Sequence, residues 1–430
     1  MPPILPLLRE SLPDHLRHSA WPREIYARWL GRGRPDRSAA ALERHLLAYA
    51  QSESPGRLAA LSGGLRPVLD QPIGPEAVPT PRRPDISRTL MVKAPGPDGE
   101  KGVLLSYFEY NWSRLLHGVA DYPDFCRRYT VVHLPSWSPT DYRVLARLLR
   151  RSPADQPLYL QPANHREREK LSRFHPRMRL VAGLACDWVH PGHFDPLPWD
   201  QRDIDLLVVA NWAPFKRHWE LFHTLARLPR DLRVVCVGQP DSGKTLDDIR
   251  RLQREFGAPQ DIDYRQSIPI DQVTALQCRA RVSALFSRWE GGCVAAVEAL
   301  MAGSVLALRD DARIGSRAHV NAETGVTFLR KNAPARLLQA LETGPALRPR
   351  EWAIEHIAAD RTLARINDAL RADALASGQP WTVDLAPVCY RPYLTYTDPA
   401  DYGRFAPAAA ELHQRYPATF PANWLERARG

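Results

Sequence analysis

The stretch with the clearest chemistry runs from Glu290 to Glu298, EGGCVAAVE, and continues as ALMAG. Glu298 is the only charge in a run of ten otherwise apolar or small residues, the pattern of a helix buried nearly all round. A carboxylate in such a place is costly unless it is paired or faces a polar ligand. It therefore serves either a structural ion pair or a ligand's hydroxyl groups. Glu290 closes an apolar strand, SALFSRWE, and Gly291, Gly292 and Cys293 lead into the helix. A helix N-terminus offers free N–H groups and a positive dipole end to a phosphate, and glycines let the backbone approach it closely. Glu298 lies roughly 12 Å along the helix from Glu290, at ~1.5 Å per residue. A ligand with a polar group at each end and a diphosphate between, such as a nucleotide sugar, matches that separation.

A second string competes for the role of phosphate site. Residues 238–245, GQPDSGKT, satisfy G-x-x-x-x-G-K-[ST], the pattern of a loop whose N–H groups cradle nucleotide phosphates. The flanks LRVVCVG and TLDDIRRLQREF read as strand and helix, the context a P-loop requires. Asp310 in SVLALRDD would be available as the acidic Mg²⁺ ligand of a nucleotidase,. On this reading the chain is a P-loop NTPase using Gly238 to Thr245.

The residues around the two glutamates favour the other reading. SRWEGG, the spacing from Glu290 to Glu298 and the following EALMAG resemble the Glu-x7-Glu signature of retaining GT-B glycosyltransferases of family 4. The resemblance covers residues 203 to about 342 well and 87–202 loosely. It implies two Rossmann-like doubly wound domains facing across a cleft, and a sugar moved from a nucleotide sugar to a glycan or glycolipid with retained anomeric configuration. It implies a UDP- or GDP-sugar as substrate and no obligatory cofactor or metal. Carried over by position, Glu290 touches the sugar hydroxyls, Glu298 holds the ribose, and Lys216 neutralises the diphosphate together with the N–H groups of Gly291, Gly292 and Cys293. The family's usual Arg five residues before that Lys is Asn211 here, and adjacent Arg217 is the residue placed to compensate. His165, after PLYLQPAN, resembles a strand-end His that contacts the donor sugar. GQPDSGKT falls where the family's donor domain has a polar loop after its second strand. The replacement at Asn211 also leaves room for a non-catalytic subunit that binds nucleotide sugars. Solvated turn residues would equally account for Lys216 and Arg217, and a surface histidine for His165.

The elements that must position these residues alternate. From Gly102 the runs GVLLSYF, YTVVHLP, PLYLQP and MRLVAGL read as short strands with helical stretches such as DYRVLARLLRR and REREKLSRF between them, an α/β pattern with a parallel sheet. After the turn-rich HPGHFDPLPWDQRD the alternation resumes with IDLLVVAN, LRVVCVG, IDYRQSI, VSALFSRW, SVLALRDD and GVTFL. Continuous apolar strands of this kind are buried on both faces. The expected organisation is a Pro-rich helical extension over residues 1–86, an acceptor-side domain over 87–200, a nucleotide-sugar domain over 201–345 and a helical, Pro- and Tyr-rich tail over 346–430 that packs back on the first domain. Tyr110, Asn111 and Trp112 follow the first clear strand, where they either stack on an acceptor sugar or pack in the core.

Composition bounds the rest. The formal net charge of +10 favours an anionic partner. The arginines are dispersed rather than gathered into an aromatic-studded block, which argues against nucleic acid and leaves peripheral contact with an anionic membrane as an expectation. Six separated cysteines with no C-x-x-C and no His pair at metal spacing suggest neither a zinc site nor a disulfide framework, and a reducing, cytoplasmic setting fits them. The N-terminal MPPILPLLRESLPDHL has acidic residues and prolines that spoil it as a signal peptide.

Overall fold

The computed structural model describes residues 4–426. They divide into two compact units, one formed by residues up to Ser19 with Val189–Ala358, the other by Ala20–Trp188 with the chain from Ala359 onward.

In the 20–188 unit one sheet runs in chain order through β1 (Thr89–Lys93), β2 (Gly102–Tyr107), β3 (Tyr129–Leu134), β4 (Leu158–Leu160) and β5 (Met178–Leu180). β2 to β5 are parallel, while β1 is antiparallel to β2. The apolar runs of the sequence mark four of these strands. β1 is the fifth, a short TLMVK segment that the following APGPDGE turns back onto β2. Parallel strands need crossovers, and helices Glu109–Gly118, Tyr122–Arg128, Tyr142–Arg151 and His165–Phe174 supply them. Helices Ala39–Gln51 and Pro55–Leu69 place Leu46, Tyr49, Leu61 and Leu65 in the same apolar cluster as Leu104, Leu105 and Val132. The C-terminal segment adds Leu363, Ile366, Tyr396, Phe405 and Leu412 to that cluster, and the Ala386 N–H donates to the Val92 carbonyl at 2.7 Å. Trp112 is fully buried, with its indole N–H on the Ser106 carbonyl at 2.9 Å, and the Asn111 amide donates to the Tyr107 carbonyl at 2.6 Å. Both are buried against the carboxyl end of β2, whereas Tyr110 is exposed.

In the 189–358 unit six parallel strands, β6 (Ile204–Val209), β7 (Val234–Gly238), β8 (Ile262–Gln266), β9 (Ala280–Leu285), β10 (Val305–Arg309) and β11 (Gly325–Phe328), follow the order β11-β10-β9-β6-β7-β8. Chain progression therefore reverses between β6 and β9. In a doubly wound sheet ligands bind at the carboxyl ends of the strands flanking such a reversal. The loops after β6 and β9 are those that contain Lys216 and Glu290. Helix Ile4–His18 belongs to this unit as well, with His18 stacked on Trp289 at a centroid distance of 5.5 Å.

Candidate active site

The loop after β6 is shaped by close packing. A Cβ built on Gly238, the last residue of β7, would come within 2.4 Å of the Ala210 carbonyl oxygen and 2.6 Å of the Trp212 ring. Only glycine allows that approach. The chain then makes a short helical turn over Pro214–Lys216 and enters the left-handed region at Arg217 (φ 59°, ψ 42°) before helix His218–Leu225. The loop after β9 is pinned by the 313–316 segment. Trp289 bridges to Arg313, and the N–H groups of Gly315 and Ser316 donate to the carbonyls of Gly291 (2.8 Å) and Gly292 (3.0 Å). Cys293 takes φ 59° and caps helix Val294–Met301, whose first N–H groups have no partner within the helix.

The two loops bring Lys216 and Glu290 together. The Lys216 ammonium donates to Glu290 Oε2 at 2.6 Å, and the other carboxylate oxygen, Oε1, is buried without a hydrogen-bond partner among the described residues. Burial works against the Lys216 charge, but Glu290 foremost, helped by Asp241, outweighs it and raises the pKa above the ordinary lysine value. The ammonium is therefore held in its charged form. Burial, reinforced by Glu290, pushes the Cys293 thiol up to about 12, which leaves it protonated and unreactive,. Glu298 lies on the same helix among buried Ala296, Val297, Ala299, Leu300 and Met301. It is half-buried, and the Gln277 amide donates to its Oε2 at 3.3 Å. Sequence spacing gives no hint of Gln277, which comes from the preceding crossover helix, Ile270–Arg279.

Asn211 and Arg217 have other company. The Asn211 amide donates to the Asp241 carboxylate, while its Oδ1 is buried and unpartnered among the described residues. Arg217 is buried and engaged by Asp14 and Glu220. These belong to a closed ring of ion pairs. Glu220 also pairs with Arg309, Arg309 with Asp311 (2.8 Å), Asp311 with Arg288 (3.1 Å), and Arg288 with Asp14 (3.6 Å). Three cations and three anions alternate, so the charges balance within the unit. Arg217 thus fixes the turn that carries Lys216, a different task from the compensation for Asn211 that its position in the sequence suggests. His165 lies in the other unit, exposed at the start of helix His165–Phe174, where the Asn164 side chain caps the helix by accepting from the Glu167 N–H at 2.9 Å.

The GQPDSGKT loop does not form a phosphate cradle. Asp241 and Lys244 exchange backbone hydrogen bonds (3.2 and 2.9 Å) around a tight turn with Ser242 and Gly243 both at positive φ (53° and 72°), the geometry of a mirror-image hairpin turn. The N–H groups of Asp241 and Lys244 are therefore consumed within the loop. Thr245 then caps helix Leu246–Phe256, and Asp248 accepts from both the N–H and the hydroxyl of Thr245 (3.0 and 3.1 Å). A carboxylate occupies the helix start that a P-loop would give to phosphate. Asp310 accepts from Arg317 at 2.8 Å.

Residues 191–350 match the model of the family described as Glycosyl transferases group 1. No curated protein matches the chain. Among solved structures, similarity extends to sucrose-phosphate synthase from Thermosynechococcus elongatus, at 16% identity over 64% of this chain and 74% of that one, with a TM-score of 0.48. The Anabaena protein HepE in complex with UDP is similar at 14% identity over 64% of this chain and 78% of that one, with a TM-score of 0.49. For the pneumococcal O-GlcNAc transferase GtfA in complex with UDP and GlcNAc the values are 11% identity, 62% and 56% coverage, and a TM-score of 0.45.

Proposed function

We propose that the chain, whose residues 191–350 match the model of the family described as Glycosyl transferases group 1, transfers a sugar from a nucleotide diphosphate sugar to a glycan or glycolipid hydroxyl with retention of configuration. The observation that carries this reading is the Lys216–Glu290 pair of 2.6 Å at the mouth of helix Val294–Met301, with one Glu290 oxygen left unpartnered. A buried, unsatisfied carboxylate oxygen costs free energy, and a donor-sugar hydroxyl satisfies it. Lys216 faces the diphosphate, where negative charge grows as the sugar's anomeric carbon–oxygen bond breaks. The N–H groups of Gly291, Gly292 and Cys293 converge on the same charge. Donors fixed in place before the reaction need no reorganisation as charge develops. Glu298, further along the helix, accepts from the ribose hydroxyls.

Asn211 brings no cation to the diphosphate, so Lys216 carries that part. The donor is a UDP- or GDP-sugar, and the setting is cytoplasmic, at the face of a membrane where the acceptor is a glycolipid. No helix among the described residues is long and apolar enough to cross a membrane.

Proton NMR of the sugar first released or transferred from α-linked UDP- and GDP-sugars tests the reaction. The α anomer appears first if configuration is retained. A β product refutes retention, and tight donor binding without any turnover would favour a non-catalytic subunit.

A further inference from the structure

Helix Ala20–Leu30 of the 20–188 unit leaves a large apolar face in solvent. Trp21 is 75% exposed, Ile25 46%, Tyr26 49% and Trp29 55%. Positions 21, 25 and 29 fall on one stripe of a helix, and Tyr26 beside them stacks on Trp29 with ring centroids 6.0 Å apart. The opposite face is the packed one, with Arg23, Ala27 and Leu30 buried. Arg23 points inward to Gln51 (2.9 Å) and Glu53 (2.9 Å). Glu24, the helix's one acid, turns to Arg57 (2.6 Å) and Ser52 (2.9 Å). Among the exposed charges of residues 20–37, Arg28, Arg32, Arg34 and Arg37 are cationic, and the one acid, Asp36, is paired with Arg34 (2.8 Å).

A contiguous exposed face of this kind marks an interaction site. Its chemistry selects the partner. Indole and phenol rings join an apolar body to a polar edge and settle at the boundary between lipid headgroups and hydrocarbon. Arginines alongside them, on a chain of net charge +10, are drawn to anionic headgroups. Eleven residues are too few to span a bilayer, so such a helix lies in the interface plane. Leu5, Leu8, Leu12 and Leu16 of helix Ile4–His18 are also exposed, but that stripe lacks the aromatic residues on which the assignment rests.

We infer that the outward face of helix Ala20–Leu30 seats on an anionic membrane surface, with Trp21, Tyr26 and Trp29 at headgroup depth and Arg28 and Arg32 against lipid phosphates. The inference goes beyond glycosyl transfer and stands independently of it, so its test uses no nucleotide sugar.

The full chain is sedimented with vesicles of phosphatidylcholine alone or mixed with phosphatidylglycerol, at low and high salt. The expected result is binding to the mixed vesicles that weakens with salt. Trp21→Ala/Trp29→Ala should weaken it by about tenfold or more at an unchanged melting temperature, and Arg28→Gln/Arg32→Gln should reduce its salt dependence. Brominated lipid should quench tryptophan emission more in the parent than in the tryptophan double variant. Three results would overturn the inference: no binding of the parent to mixed vesicles, equal binding by the tryptophan double variant, or a dimer in sedimentation velocity that this variant dissolves.

Discussion

Replacing Lys216 by methionine keeps most of the stem and removes the charge. Glu290 would then be a buried carboxylate with neither oxygen satisfied, because Oε1 already lacks a partner and Oε2 loses its 2.6 Å donor. Breaking a buried pair from one side costs about 3–5 kcal/mol of folding stability. The side chains are 11% and 7% exposed, and this residual access to water puts the loss near the lower end, about 3 kcal/mol. Activity should fall more steeply, since one preorganised donor to a developing oxyanion is worth about 10²- to 10³-fold in rate. The double variant Lys216→Met/Glu290→Gln separates the two effects. With both charges gone, urea unfolding should return to within about 1 kcal/mol of the parent, while donor turnover stays low. If Lys216→Met kept kcat/KM within about threefold of the parent, or the double variant regained activity along with stability, the role given to Lys216 would be refuted.

Other expectations concern the frame around the pair. Gly238→Ala should displace the 210–212 backbone, because the added methyl meets a carbonyl oxygen that cannot yield. A loss of about 1–3 kcal/mol in urea unfolding is expected, with donor affinity falling in step, and an unperturbed variant would contradict the packing argument. Burial holds His133 at about 4, and burial with the nearby Lys216 charge holds His218 at about 3, against an ordinary 6.5. A folded pKa below the unfolded one gives stability that is present above pH 6.5 and lost as pH falls through 4 toward 3. Unfolding free energy should therefore drop across that window by up to ~1.4 kcal/mol per pH unit for each histidine. His133→Gln should flatten the profile, and a parent profile already flat from pH 6.5 to 4 would count against neutral buried histidines.

Much of the 189–358 unit was legible because its strands, apart from the polar and largely exposed β8 (IDYRQ), are apolar and regularly spaced, and helix Leu246–Phe256 has the bounds that its LDDIRRLQREF pattern gives. The proximity of Lys216 and Glu290 was reachable only through the motif resemblance, since it depends on β6 and β9 being neighbours. Contacts between distant segments carried no local signal. Nothing around Asp14 or Glu220 announces that they clamp Arg217, and nothing ties Gln277 to Glu298. The letters of GQPDSGKT were ambiguous for a related reason. A phosphate loop and a closed hairpin turn both use glycine, and the difference lies in the backbone angles of Ser242 and Gly243 and in the Asp248 cap. β1 escaped notice because five residues between a basic turn and a Pro-Gly turn give too short a period to recognise,.

Calorimetric titration of the parent, Glu298→Ala and Lys244→Ala with UDP- and GDP-sugars, and in parallel with Mg-ATP, tests the central claim of a nucleotide-sugar site on helix Val294–Met301. The parent should bind a nucleotide sugar. Glu298→Ala should lose about 1.5–3 kcal/mol of it, ten- to a hundredfold in affinity, through the missing charge-assisted hydrogen bonds to ligand hydroxyls. Lys244→Ala, altered in a turn closed on itself, should stay within about 0.5 kcal/mol of the parent. Mg-ATP binding that disappears in Lys244→Ala and survives in Glu298→Ala would contradict the account.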